Sequence, residues 1–193
     1  MIEKKTTFRE KIKNLNKNII INFVLFQISW FACVIGAGKQ MPWLGVAVVL
    51  ACVAWHLASA KNARAELVLL LITLLIGGLF DQLMQSTGLI SYEAHGWSDA
   101  LIPPWILALW LAFTTTLNVS LRWMRGKWLV ATLFGLIGGP LAYIGAEKLG
   151  AVSLNNLPLH FVALGLGWGI VTPLLLMVAQ KFDGFKPLES TQL

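Results

Sequence analysis

Asp81 is an acid within a long apolar run, and no other residue is better suited to proton chemistry. A charge inside hydrocarbon is costly, so an ionisable side chain in such a run indicates a functional site by default. Gly77 and Gln85 lie four residues before and after Asp81, on the same face of a helix, and Gln82 lies one step around. We therefore expect a narrow polar face with Asp81 as catalytic acid or base and with Gln85 and Gln82 binding substrate.

Two later apolar runs carry polar side chains at a similar depth. Tyr143 and Glu147 are spaced by four residues, and His160 lies about one turn inside its own run. A tyrosine and a histidine near a buried acid can orient it or exchange its proton. We assign catalytic roles to Tyr143 and His160 beside Asp81, and a substrate-binding role to Glu147.

The connection between the third and fourth apolar runs adds His95, to which we also assign substrate binding. Glu93 and Asp99 are close to His95 in sequence, but their spacing matches no recognised metal site. We therefore predict no metal site and no cofactor. Asp81 also has a structural interpretation, in which it bonds to a tyrosine or glutamine and holds a helical bundle together. In that case an asparagine should replace it almost silently.

Composition decides what kind of protein positions these residues. The chain has 193 residues, of which 57% are hydrophobic and only 12% are charged, and its mean hydropathy is +0.72. Soluble domains carry about 25% charged residues, and a soluble chain of this size could not bury so much apolar surface. An ordinary soluble domain, a disordered chain and a disulfide-built domain are excluded. The basic residues flank apolar runs, as in membrane proteins, so nucleic acid is not an expected partner.

Six apolar runs are long enough to cross a membrane as helices. They are Ile19–Gly36, Pro42–Ala60, Leu67–Thr87, Leu101–Leu121, Trp128–Ala146 and Leu157–Gln180. We predict an all-α membrane protein, a bundle of six transmembrane helices that occupies residues 19–180. Glycine pairs at i and i+4, Gly135 with Gly139 and Gly165 with Gly169, predict close helix contacts.

The charge distribution predicts the orientation of the bundle. Thirteen of the fifteen Lys and Arg residues fall on one side if both termini are cytoplasmic. Residues 1–18 place Phe8, Ile12 and Leu15 at helical spacing among lysines and arginines. This pattern is typical of a basic amphipathic helix on the membrane surface, and a flexible basic tail is the alternative. Residues 181–193 are predicted to form a short cytoplasmic tail.

Several stretches resemble a known family. They are Asn22 to Cys33, Pro42 to Gly45, Asp81-Gln82 with Gly88-Leu89, Pro104-Trp105 with Leu109-Trp110, and Gly139 to Tyr143. Together they resemble a bacterial inner-membrane domain-of-unknown-function family, numbered 2878. The resemblance covers nearly all of the chain after residue 18. It implies a small multi-pass protein of the bacterial inner (plasma) membrane, and it brings no activity or catalytic residue with it.

The expected function is an integral inner-membrane protein with a polar pocket in the outer half of the bilayer. The pocket would bind or act on a lipid-like small molecule, and the residues do not decide between an enzyme and a binding protein. One alternative is a small transporter coupled to protons or cations, and another is a non-catalytic partner in a membrane complex. The expected partners are membrane lipids and a hydrophobic small molecule, and a homo-oligomer stays open.

Overall fold

The computed structural model describes residues 8–155 and 158–186, with side chains from residue 17 onward. The amphipathic face predicted for residues 1–18 therefore lies outside the described side chains, as does the end of the tail after residue 186. Within the described ranges the chain forms six α-helices in sequence order. They are α1 Phe8–Gly38, α2 Pro42–Ser59, α3 Ala63–Ser86, α4 Pro104–Leu117, α5 Trp128–Lys148 and α6 Leu159–Lys181.

Each predicted apolar run coincides with one of these helices. Five of the helices are long and apolar enough to cross a membrane, which agrees with a multi-pass membrane protein. The fourth is shorter than the predicted run, because it begins at Pro104 after a second proline and ends at Leu117. Its 14 residues span about 21 Å at 1.5 Å per residue, less than the hydrocarbon thickness of about 30 Å.

The short helix α4 lies at the centre of the bundle and is buried along most of its length. Side chains of neighbouring helices bind backbone groups at and next to both of its ends. The Asn22 amide on α1 donates to the Thr115 carbonyl oxygen at 3.0 Å and accepts from the Ser120 hydroxyl at 2.7 Å. At the other end Gln82 accepts from the Ile102 backbone N–H at 3.0 Å.

Two short strands, β1 Ile90–Tyr92 and β2 Val152–Leu154, form an antiparallel pair outside the helices. The pair joins the α3–α4 connection to the α5–α6 connection, with Tyr92 opposite Val152. We call this the sheet end of the bundle. We call the opposite end, which contains Arg122 and Arg125, the arginine end.

The helices pack as two groups: α1 to α4 contact one another, and α5 packs chiefly against α6. Glycines allow the closest approach between α5 and α6. A Cβ atom on Gly139 would overlap the Trp168 ring, and one on Gly135 would overlap the Trp168 carbonyl oxygen. Leu136 lies between them in sequence and packs over Gly165 and Gly169.

Candidate functional site

A cavity of about 390 Å³ lies between α1 and α4 on one side and α5 and α6 on the other. Its wall is mainly aromatic and aliphatic. The aromatic residues are Phe23, Phe26 and Trp30 on α1, Trp105, Trp110 and Phe113 on α4, Phe134 and Tyr143 on α5, and Trp168 on α6. The volume falls at the low end of the range for small-molecule sites, about 300–1,000 Å³. The lining from Phe23 to Val34 on α1 gives the cavity a length of about 17 Å along the helix.

The cavity has an opening on the side of the bundle, between α1 and α5. Phe23, Phe134 and Leu141 line the cavity and are also exposed on the outer surface. Nearer the sheet end the two helices approach each other, where a Cβ on Gly145 would meet the Trp30 ring at 3.3 Å. The gap between α1 and α5 is therefore wider away from the sheet end.

Asp81 lies in the cavity wall and is almost completely buried. One carboxylate oxygen accepts from the Tyr92 hydroxyl at 2.7 Å and also from the Tyr143 hydroxyl. The other oxygen accepts from Trp110 Nε1 at 2.6 Å. These three donors come from β1, α5 and α4, so the carboxylate links four elements including its own helix α3.

Glycine and aromatic stacking position the indole rings beside this carboxylate. A Cβ on Gly77 would overlap the Trp110 ring, so only glycine lets this ring approach α3 next to Asp81. Trp110 stacks on Trp168, with ring centroids 4.7 Å apart and planes within 6° of parallel. Phe113 contacts both indoles edge-on. The polar end of the cavity is thus built from rigid, mutually packed rings.

The structure brings Asp81 and Tyr143 together, but it places the two glutamines elsewhere. Gln82 donates to the Ala100 carbonyl oxygen at 3.1 Å, and Gln85 donates to the Asp99 carbonyl oxygen at 3.0 Å. Both side chains hold the α3–α4 connection against the end of α3. Neither bonds to Asp81 in the described part of the chain.

The remaining predicted site residues also bind backbone at the sheet end. A His95 ring nitrogen lies 2.9 Å from the Leu101 carbonyl oxygen, and Glu147 accepts from the Leu154 backbone N–H at 2.9 Å. His160 is fully buried, with Nδ1 2.9 Å from the carbonyl oxygen of Asn155. These three side chains stabilise the connections above the cavity and do not line it.

Sequence reasoning missed Tyr92, Trp110 and Trp168 as members of the site. A usable signal was present for the tryptophans, because a buried indole N–H generally needs an acceptor and Asp81 is the one acid within the apolar runs. Tyr92 reaches Asp81 through strand pairing, which three-residue strands do not reveal in sequence.

A second buried polar cluster lies at the arginine end. Glu66, in the first turn of α3, is fully buried and lies 2.9 Å from His56 Nε2. Its other oxygen accepts from Asn118 Nδ2 at 2.6 Å and from the Gly184 backbone N–H at 2.7 Å. These bonds tie residues after α6 to the ends of α2, α3 and α4.

Asp183 extends this cluster to the arginines. Arg125 donates to its carboxylate at 2.8 Å, and Arg122 donates to the same oxygen. Burial alone raises the pKa of Asp183, but the hydrogen bonds from Arg125 and Arg122 outweigh it and hold the pKa below its usual value. No group of three metal-ligating side chains occurs among the residues that the structure describes.

Comparison with known proteins identifies the family of the chain. No curated protein and no solved structure matches it. The family described as "Protein of unknown function (DUF2878)" matches residues 19–174, which include α2 to α5 completely and most of α1 and α6. The match covers most of the chain and both sides of the Asp81 site, and the protein therefore belongs to the DUF2878 family.

Proposed function

We propose that this protein binds a hydrophobic, lipid-like small molecule inside the membrane, in the cavity between α1, α4, α5 and α6. The observation that carries the proposal is an aromatic-walled cavity with a side opening between two helices whose apolar side chains are exposed. A molecule that enters by this route need not leave the bilayer. Asp81 and Tyr143 form the polar end of the site, where an acid or base would act if the bound molecule is also a substrate.

The membrane setting is part of the proposal. All six helices cross the bilayer of the bacterial inner membrane, and α4 is a short central crossing that other helices shield from lipid. Both termini are cytoplasmic, because the arginine end carries most of the basic residues. The sheet end then faces the periplasm, and residues 19–180 form the membrane domain.

A binding site is better supported than a transporter for ions. A transporter needs polar groups that connect both ends of the bundle, whereas the cavity wall between Asp81 and the arginine end is mainly aromatic and aliphatic, with Gln27, Thr116 and Ser120 as its polar members. Thr116 donates to the Phe113 carbonyl oxygen and Ser120 donates to Asn22, and beyond them His56 bonds to Glu66. A mainly apolar wall favours a hydrocarbon chain over an ion.

The test compares two variants at adjacent positions of α5. A Cβ on Gly138 would meet open space, and this residue lines the cavity. Gly138→Phe should therefore fill the site without disturbing helix packing. Ile137 is exposed on the outer surface, so Ile137→Phe adds an aromatic ring that faces lipid. Hydrophobic molecules that remain with each purified protein would be extracted and identified by mass spectrometry.

The wild type and Ile137→Phe should retain the same molecule in near-stoichiometric amount, and Gly138→Phe should lose it. Bulk lipid, which adheres to any membrane protein, should be equal in all three samples. A wild-type extract that contains only bulk lipid, or an unchanged extract from Gly138→Phe, would contradict the proposal.

A further inference from the structure

Gln27 is a polar residue in the cavity wall, and its side chain makes no hydrogen bond within the described chain. Two other polar members of the wall, Thr116 and Ser120, donate to the Phe113 carbonyl oxygen and to Asn22. The Gln27 side chain is only half-buried, and both the nitrogen and the oxygen of its amide have accessible surface. The amide is therefore free to bind a group that does not belong to the protein.

This side chain lies on the face of α1 that lines the cavity. Residues of that face are spaced by three or four positions, as one stripe of a helix requires, and they are Phe23, Phe26, Gln27, Trp30 and Val34. Apart from Phe23 at the opening, the exposed apolar residues of α1 form a different stripe, Ile20, Val24, Ile28, Phe31 and Ile35. The Gln27 amide therefore belongs to the cavity, one helical turn from Phe23.

Gln27 is also near the middle of its helix. The apolar part of α1 runs from Lys17 to Gly38, so that Gln27 is close to its midpoint. In the proposed membrane setting no water is available at that depth, and an amide without a partner is unfavourable there. Leucine would fill the same space without this penalty. A bound molecule that pairs with the amide accounts for glutamine at this position.

The amide restricts the kind of group that it can bind. Its N–H₂ group donates, its oxygen accepts, and it carries no charge. No lysine or arginine lines the cavity among the described residues, so a phosphate or carboxylate would lose its hydration there without a cation as partner. The partner of Gln27 is therefore an uncharged oxygen, such as that of a carbonyl group.

The position of Gln27 within the cavity indicates where this oxygen lies in the ligand. The lining of α1 extends about 6 Å from Gln27 towards Phe23 and about 10 Å towards Val34, at 1.5 Å per residue. Mainly aromatic and aliphatic side chains line the cavity in both directions. A ligand that fills the cavity thus has hydrocarbon on both sides of the oxygen. The volume of about 390 Å³ favours one chain over the paired chains of a phospholipid.

We infer that the ligand is an uncharged single-chain lipid with a carbonyl-type oxygen inside its chain, and that Gln27 is the residue that selects it. The Gln27 N–H₂ group donates to this oxygen. A pure hydrocarbon lacks the oxygen and leaves the amide unpaired. This inference rests on the proposed function, because it names the chemistry of the molecule held in the same cavity.

The test uses two brominated probes that share one hydrocarbon chain. The first probe is an alkane, and in the second a ketone replaces one methylene near the middle of the chain. Bromine quenches tryptophan fluorescence, and four tryptophans line the cavity. Each probe is titrated into purified full-length protein in detergent, and the signal from Gly138→Phe is subtracted as micellar background. The half-saturation concentrations of the two probes are then compared.

Gln27→Leu removes the amide and keeps a side chain of similar size. It should weaken the ketone relative to the alkane by about three- to tenfold, the value of one hydrogen bond. The ratio of the two probes cancels their unequal partition into detergent micelles. Gln180→Leu is the matched control, because Gln180 is exposed at the end of α6 and lies outside the cavity. Its ratio should equal that of the wild type.

The stability of the empty protein distinguishes ligand binding from a structural role. After detergent exchange has removed the bound molecule, Gln27→Leu should unfold at the same temperature as the wild type or at a higher one. The reason is that it replaces an unpaired amide with an apolar side chain. If Gln27 instead bonded to a neighbouring helix, leucine would lower the unfolding temperature or prevent folding, and either result would overturn the inference.

The binding outcomes separate this inference from the proposed function. If neither probe shows saturable binding above the Gly138→Phe background, the proposed function fails and the inference fails with it. If both probes bind but Gln27→Leu leaves their ratio unchanged, the role of Gln27 and the carbonyl-type oxygen are overturned, and a cavity that binds hydrocarbon remains.

Discussion

The Asp81 carboxylate receives hydrogen bonds from three elements, and this geometry explains how one acid can be accommodated within the membrane domain. Tyr92 and Tyr143 donate to one oxygen, and Trp110 donates to the other. All three donors are on packed aromatic side chains. Their hydrogen bonds stabilise the carboxylate, which has no basic partner among the described residues. The same bonds keep its position fixed at the polar end of the cavity.

The first prediction concerns Asp81→Asn, which should destabilise the protein by about 1–3 kcal/mol. An amide oxygen can accept from both tyrosines, but the amide N–H₂ then faces the Trp110 N–H, and two donors meet. The near-silent substitution expected from the sequence assumed one hydrogen-bond partner, and the three donors change that expectation. Thermal unfolding in detergent measures the effect.

Tyr92→Phe is the matched comparison, since it removes a single donor and leaves Asp81 with two. It should cost about 1 kcal/mol, less than Asp81→Asn. Equal stability of Asp81→Asn and the wild type would show that the Trp110 bond does not operate in the folded protein.

At this scale the sequence predicts part of the site. Asp81 and Tyr143 could be paired from their similar depth in two apolar runs, and the structure brings them together. The glutamines and histidines could not be assigned in the same way, because helical spacing gives the face of a residue but not its rotamer. Gln85 shares the face of Asp81, yet its side chain extends along the helix to the Asp99 carbonyl oxygen.

At the scale of elements, the contact between α5 and α6 depends on one of two adjacent glycines. Gly139→Leu should cost about 3 kcal/mol or more, since its side chain would overlap the Trp168 ring. Gly138→Leu should lose almost no stability, because its side chain enters open space and leucine is about 1 kcal/mol better than glycine in a helix. The yield of monodisperse protein and its unfolding temperature measure both, and equal values for the two variants would refute the assigned contact.

The residues that follow α6 stabilise the arginine end, because they bind side chains of other elements there. Asp183 binds two arginines, and the Gly184 backbone binds Glu66. The pKa of Asp183 is lower in the folded protein than the ordinary value of 3.8. Near this pH the folded state therefore binds fewer protons at Asp183 than the unfolded state does. The stability that Asp183 adds is present above this value and is lost as the pH falls below it.

Asp183→Asn tests this contribution. The wild type should be more stable than the variant by a constant margin at neutral and mildly acidic pH, and the margin should shrink below about pH 4. Unfolding temperatures measured for both proteins across that range give the difference directly, and other carboxylates cancel in it. A margin that stays constant into strong acid would show that the arginine pair does not stabilise the ionised aspartate.

The positions of the helices could be predicted from the sequence, but the strand pair and the contacts of residues 182–186 could not. Continuous apolar runs of about 20 residues determine where helices lie in a membrane protein, and each of the six runs overlaps one helix. Glu66 was placed before its run because it is charged, although it lies in the first turn of α3. The strand pair and the packing of residues 182–186 depend on contacts between segments far apart in the chain, which leave no periodic pattern.

The whole molecule has a charge asymmetry that predicts its orientation. Reporter fusions after residue 92 should report the periplasm, and fusions after residue 125 should report the cytoplasm. The first position follows β1 at the sheet end, and the second lies at the arginine end. The reverse result at both positions would invert the bundle and place the Asp81 site in the other leaflet.

The account as a whole depends on a hydrophobic molecule that lies inside the protein rather than around it. The most direct measurement is photo-crosslinking in native membranes with a single-chain lipid analogue that carries a diazirine in its tail, followed by mass spectrometry of the labelled residues. The account predicts labels on inward residues of the cavity such as Phe26 and Phe113, and their loss in Gly138→Phe. Labels confined to outward residues such as Leu79 and Ile170, unchanged in that variant, would contradict it.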